Sequence, residues 1–160
     1  MRYFIDTEFI ESGRHKPIQL ISIGIVAEDG REFYAVSRDF NPEDASGWVK
    51  ENVLAQIDTP LRDRMSVTVI ASAVDGFVGD DKPEFWGYYA DYDWVVFCQM
   101  FGIMMNLPSR FPMYCRDLKQ LADDKGGLEL PKQGDGEHNA LADARWNKQA
   151  FDFLTSLPNP

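Results

Sequence analysis

Polar and apolar positions alternate over residues 2–9. Tyr3, Ile5, Thr7 and Phe9 share one face and Arg2, Phe4, Asp6 and Glu8 the other, which is the two-residue period of a strand. Residues 18–27 are apolar on nearly both faces and predict a buried interior strand. Asp29-Gly30 predicts a tight turn into a third strand over residues 32–36, so the chain opens as a three-stranded meander. Residues 41–47 read as a loop, followed by helices around 48–56 and 67–78. Pro83 precedes an aromatic run, 84–88, that reads as a fourth strand.

The next helix is marked by Trp94, Phe97, Cys98, Phe101 and Met105 at spacings of three, four, seven and eleven, with Asp91 as its expected N-cap. Residues 111–114 predict a last short strand and 117–124 a short helix. Residues 123–137 are rich in Gly, Lys, Asp and Glu and predict a mobile loop. Asn139 is expected to cap a final helix with Ala142, Trp146, Ala150 and Phe153 on one face, and the terminal Leu-Pro-Asn-Pro to fray. Strands and helices in this order, after an antiparallel start, predict an α/β fold with helices on both faces of a mixed sheet.

Length and composition narrow the function classes. A chain of 160 residues with 44% apolar and 26% charged positions fits one globular domain over residues 1–160. No run reaches the roughly 18–20 apolar residues of a membrane span, and Asp6 interrupts any N-terminal signal region. Cys98 and Cys115 are too few for a disulfide scaffold or a cysteine zinc module, so a cytoplasmic protein with free thiols is expected. The net charge of −10 argues against a broad basic surface for nucleic acid. It remains compatible with an enzyme whose carboxylates hold cations, and with a non-enzymatic acidic protein that mimics nucleic acid.

Three weak signals carry chemistry. Asp6-Thr7-Glu8 puts two carboxylates on one strand face about 7 Å apart, a costly arrangement unless that face is in water or a divalent cation lies between them. Asp93 falls in the first turn of the aromatic helix, where an acid is also favoured by the helix dipole. His138 and Asp143 are five apart, about 140° off a common helical stripe, and cannot share one helix face. With Asn139 as cap, however, His138 precedes the helix and Asp143 lies one turn inside it, so both can point at one spot. The other histidine, His15, lies in the polar loop 12–16. If the first strand, the middle helix and the last helix lie side by side, four carboxylates and one histidine converge. Such a set can hold two divalent ions and a general base for phosphodiester hydrolysis.

Asp6-x-Glu8, Asp93 and His138-x-x-x-x-Asp143 together resemble the DEDDh 3′–5′ exonucleases of the ribonuclease H-like fold. The chain is most similar to the small polyadenylate-specific exoribonucleases (RNase AS), through Met1-Arg-Tyr-Phe, Asp6-Thr-Glu-Phe-Ile10, Leu20-Ile-Ser-Ile-Gly24, Val26-Ala-Glu-Asp-Gly30 and His138-Asn-Ala-Leu. The resemblance spans nearly the whole chain. It implies a three-stranded antiparallel meander joined by parallel strands, and two Mg²⁺ or Mn²⁺ ions. Asp6, Glu8 and Asp143 are implied to hold one ion, Asp6 to bridge to the second, and Asp93, rather than Asp91, to support that second ion. His138 is implied to take the proton from the attacking water. Substrate contacts are implied at Thr7, Glu8, Phe9 and Trp86, with Glu8 beside the terminal ribose and Phe9 or Trp86 stacking on a base. The implied partner is a single-stranded 3′ end, RNA before DNA with an adenylate bias, and the implied assembly is a homodimer. A 3′–5′ DNA exonuclease of the same superfamily is the nearest alternative.

Overall fold

The structure is a computed structural model and describes residues 1–134 and 136–157. Strands β1 (Arg2–Ile10), β2 (Gln19–Ala27) and β3 (Glu32–Val36) form the expected antiparallel meander. Gly30, at φ +90°, makes the β2–β3 turn and donates its N–H to the Ala27 carbonyl at 2.9 Å. Strands β4 (Glu84–Gly87) and β5 (Arg116–Asp117) add in parallel, giving the order β3-β2-β1-β4-β5 with β1 at the centre. The helices are α1 (Gly47–Asn52), α2 (Val67–Val78), α3 (Asp91–Met100), α4 (Leu118–Asp124) and α5 (Ala140–Ser156).

Alternation along β1 builds two cores. Tyr3 and Ile5 pack with residues of α2 and α3, including Ile70, Val74 and Phe97. Phe4 faces the other way, onto Leu118 of α4 and Ala144, Phe151 and Leu154 of α5. Asp6 and Glu8 share the parity of Phe4 and so look toward α5. A third cluster seats α1 and the turn after it, with Val49, Val53 and Leu54 against Val36 and Phe40. Cys98 and Cys115 are both free. Among the described residues no helix is long and apolar enough to cross a membrane.

Several sequence expectations are corrected. The last strand begins at Arg116 rather than 111, because Pro112 cannot donate to a ladder, and Phe111 is a buried core residue. Helix α3 starts at Asp91 itself, so Asp91 is exposed and caps nothing; Ala90 occupies the N-cap position and donates its N–H to Asp117 Oδ2 at 2.8 Å. The same helix ends at Met100, where Gly102 at φ +93° turns the chain, so Met105 leaves the stripe and is 73% exposed. The expected helix over 48–56 divides into α1 and a separate 3₁₀ turn, Leu54–Gln56.

The buried face of α5 is rotated from the expected one: Ala140, Ala144, Asn147, Ala150, Phe151 and Leu154 are buried, while Ala142, Trp146 and Phe153 are half-exposed. The cause is Asn147, a polar residue that faces the core. β1 pairs with β4 as far as Phe4, and at the next residue the Ile5 carbonyl accepts from Asn147 Nδ2 at 2.8 Å.

The segment expected to be a mobile loop carries neither helix nor strand over residues 125–134, and part of it is anchored. Leu128 and Leu130 pack on the α4–α5 core, and Trp146 Nε1 donates to the Pro131 carbonyl at 2.9 Å. Of this segment Asp135 lies outside the described residues, as do residues 158–160 of the tail expected to fray.

Candidate active site

Three elements meet because two glycines and a pair of alanines let them. Gly24 of β2 is the register partner of Asp6, and a Cβ there would lie 2.1 Å from the Ala140 carbonyl oxygen. Only a glycine lets the start of α5, at Ala140 and Leu141, press onto the sheet beside Asp6. Gly87 does the same for α3: a Cβ there would sit 2.8 Å from the Ala90 Cβ, so the turn from β4 into α3 closes only on glycine. These approaches deliver Asp143 and Asp93 to the end of β1.

Carboxylate oxygens of Asp6, Glu8 and Asp143 lie within 4.8 Å of one another, a separation suited to one shared cation. Asp93 arrives from the opposite helix layer, is buried, and is fixed by Thr7, whose N–H and Oγ1–H both donate to its Oδ1 at 2.8 and 2.6 Å. Asp143 accepts from the His138 N–H at 3.1 Å on Oδ2 and from the Gln133 side-chain amide on Oδ1. Asn139 Oδ1 accepts from the N–H groups of Leu141 and Ala142, both at 3.2 Å, so it caps α5 as the sequence predicts. His138 stands just before the cap at φ +70°, where a non-glycine residue needs local support.

The electrostatics are those of crowded acids. Burial, with the nearby charges of Asp93, Asp143 and Glu8, holds Asp6 well above the usual carboxylate range. Burial and the charge of Asp143 push Glu8 to about 8, and the two share a hydrogen bond. Asp93 rises to about 6 through burial, partly offset by the hydrogen bonds from Thr7. Asp143 also rises to about 6 through burial, against the hydrogen bonds from Gln133 and His138. Four acids disfavoured as anions, offering oxygen donors alone, suit a hard divalent cation of the Mg²⁺ or Mn²⁺ kind.

The remaining sequence-predicted contacts divide. Phe9 follows Glu8 on β1 and stacks on the exposed ring of Tyr92, with centroids 5.8 Å apart and planes 9° from parallel. Trp86 is 8% exposed, packs edge-on against Phe151 and donates Nε1–H to Glu84 at 2.7 Å, so it presents no stacking face. Thr7 is likewise buried, its hydroxyl committed to Asp93. The sequence assigns no role at the site to Gln133, Tyr92 or Gly24. Tyr92 could have been found as the neighbour of Asp93; Gln133 has no local signal, since its role depends on the path of the 128–134 segment.

The chain matches relatives of known type over nearly its whole length. Residues 1–155 match the family described as the 3′-5′ exoribonuclease Rv2179c-like domain. The chain is 43% identical over 160 residues to the 3′-5′ exoribonuclease Rv2179c of Mycobacterium tuberculosis (strain ATCC 25618 / H37Rv), covering 98% of this chain and 94% of that one. The 3′-5′ exoribonuclease MT2234.1 of strain CDC 1551 / Oshkosh matches to the same extent. Among solved structures it is similar to a zinc-bound complex of E. coli ExoI with single-stranded DNA, at TM-score 0.62 and 14% identity over 97% of this chain and 42% of that one. It is also similar to E. coli Exonuclease I with a dT13 oligonucleotide, at TM-score 0.60 and 13% identity over 99% and 41%. The chain spans about two fifths of those two structures, and the likeness is one of fold, the ribonuclease H-like α/β architecture expected above. By match and identity over nearly its whole length, the chain belongs to the Rv2179c-like family of 3′-5′ exoribonuclease domains.

Proposed function

We propose that this chain is a DEDDh-type exoribonuclease of the RNase AS kind, releasing nucleoside 5′-monophosphates from the 3′ end of single-stranded RNA. The observation that carries the reading is the meeting of Asp6, Glu8 and Asp143 within 4.8 Å, with Asp93 tethered beside them and His138 bonded to Asp143. Asp6, Glu8 and Asp143 would hold one divalent ion, and Asp93 with Asp6 a second. When bound, the ions supply Lewis acidity toward the scissile phosphodiester and neutralise the charge that builds on it.

The chain's own residues do the rest. The His138 imidazole accepts a proton from the water that attacks the terminal phosphorus, and the bond to the 3′-oxygen of the penultimate nucleotide breaks. Glu8 accepts a hydrogen bond from the terminal 2′-hydroxyl, the group that tells RNA from DNA. The flat Phe9–Tyr92 pair offers a stacking face to the terminal base, and an adenylate bias is assigned to that subsite. The enzyme works in the cytoplasm as one domain over residues 1–160. It forms a homodimer, for which the exposed Ile103, Met104 and Met105 after α3 offer apolar surface.

The relatives' name, exoribonuclease, supports RNA. The DNA complexes of the structural neighbours put deoxyribose in the test. That test is the initial rate on oligomers ending in A, C, G or U, in ribo and deoxyribo forms, with Mn²⁺ or Mg²⁺. Faster cleavage of ribo-A ends supports the reading. Equal rates on all four bases remove the adenylate claim, and faster DNA cleavage overturns the RNA assignment.

A further inference from the structure

The site's histidine is held from outside its own helix. His138 sits in the left-handed region ahead of α5, and its backbone N–H is bonded to Asp143. That bond leaves the direction of the imidazole to whatever packs on the ring. Trp48 of α1 packs there: the two rings meet edge-on at 78°, with centroids 4.8 Å apart. Trp48 is nevertheless 55% exposed, an uncommon setting for a tryptophan that only fills a core.

The platform under Trp48 is anchored by packing and hydrogen bonds. Ser46 Oγ caps α1 by accepting from the Val49 N–H at 3.2 Å. Val49, buried Val53 and Leu54 seat the segment on Val36 and Phe40. The same segment grips the loop a second time, through Gln56 Nε2, which donates to the Glu137 carbonyl at 2.8 Å and to the Asn52 carbonyl at 2.6 Å. Trp48 and Gln56 thus hold consecutive residues, Glu137 and His138, across more than 80 positions of sequence.

We infer that Trp48 is a positioning residue for His138: its indole sets the angle at which the imidazole faces the attacking water, and Gln56 fixes the backbone on which that imidazole turns. The inference rests on the reading of His138 as general base. Displacement of a reacting group by about 1 Å is enough to cost a rate factor near 10². Loss of the indole therefore slows the chemical step and leaves substrate binding nearly unchanged.

The experiment is a double-mutant cycle on the full chain with Mn²⁺ and a short RNA, reading kcat and KM separately. His138→Ala alone should lower kcat by about 10²–10⁴. Trp48→Ala should lower kcat by about 10–100-fold with KM within about threefold, and Trp48→Phe, which keeps an aromatic edge, should restore most of it. In the His138→Ala background Trp48→Ala should have no further effect. Gln56→Ala, an exposed change that leaves the core intact, should give a smaller kcat loss that also vanishes in that background. An equal loss in both backgrounds, or a loss confined to KM, would assign Trp48 to the substrate and overturn the inference. An unchanged rate in both Trp48→Ala and Gln56→Ala would overturn it too. A wild-type rate in His138→Ala would instead remove the general-base reading itself, and the positioning role with it.

Discussion

Thr7 holds Asp93 twice, with its backbone N–H and its hydroxyl both directed at the same carboxylate oxygen at 2.8 and 2.6 Å. The residue between the two strand acids therefore faces away from them and fixes the third, so one tripeptide of β1 organises both helix layers. Thr7→Val keeps the shape and deletes the hydroxyl. It should weaken metal dependence or rate by about 10–100-fold, the usual cost of losing a partner that orients a ligand. Thr7→Ser should remain near wild type. Activity against Mn²⁺ concentration for the two variants checks this, and equal behaviour of valine and serine would contradict it.

Asp6→Asn should abolish turnover and raise the melting temperature of the metal-free protein. Burial and three neighbouring acids oppose the Asp6 charge, so removing it relieves more than it costs. Calorimetry of the metal-free variant beside the parent decides the stability half, and a lower melting temperature would contradict it.

The same acids set a pH dependence opposite to that of a salt-bridged protein. Glu8, pushed to about 8 in the fold, holds its proton more tightly there than in the unfolded chain. Its contribution is present in full below the unfolded carboxylate range, near pH 4–4.5, and is lost as pH rises toward about 8. Asp93 and Asp143, each raised to about 6, act with the same sign over a lower window. The metal-free protein should therefore lose stability from about pH 5 to 8. Mn²⁺ should restore it most strongly at pH 8, where protons no longer compete for the ligands. Thermal shift across pH with and without the ion reads both effects.

Two glycines should respond with opposite signs. Gly24→Ala drives a methyl into the Ala140 carbonyl and should destabilise by about 1–3 kcal/mol or more, with loss of activity as α5 lifts from Asp6. Gly76→Ala, inside α2 with open space around it, should stabilise by up to about 1 kcal/mol and leave activity alone. Urea unfolding of the two variants gives the signs.

The sequence carried the meander, the α2 boundaries and the Asn139 cap, because each rests on a local pattern of alternation, turn residues or a capping side chain. It misplaced what depends on distant partners. Asn147 falls outside the face expected to be buried, because nothing local says that the Ile5 carbonyl needs a donor. Trp86 reads as a stacking face until Phe4, Phe151 and Leu118 cover it. In the candidate site, Asp6, Glu8, Asp93, His138 and Asp143 were legible as residue types at motif spacing. The role of Thr7 was not, since nothing local says that α3 brings Asp93 to it. The averaged composition of the segment before His138 hides the anchoring side chains Leu128, Leu130 and Gln133.

Stepwise hydrolysis from a free 3′ end by the carboxylate cluster can be read directly by incubating a 5′-labelled single-stranded RNA, with a free or a blocked 3′-hydroxyl, in Mn²⁺ or in a chelator. The expected result is a ladder shortening one nucleotide at a time from the free 3′ end, absent with the chelator, with the blocked end and with Asp6→Asn. Internal fragments from the blocked RNA, or an undiminished ladder from Asp6→Asn, would contradict it.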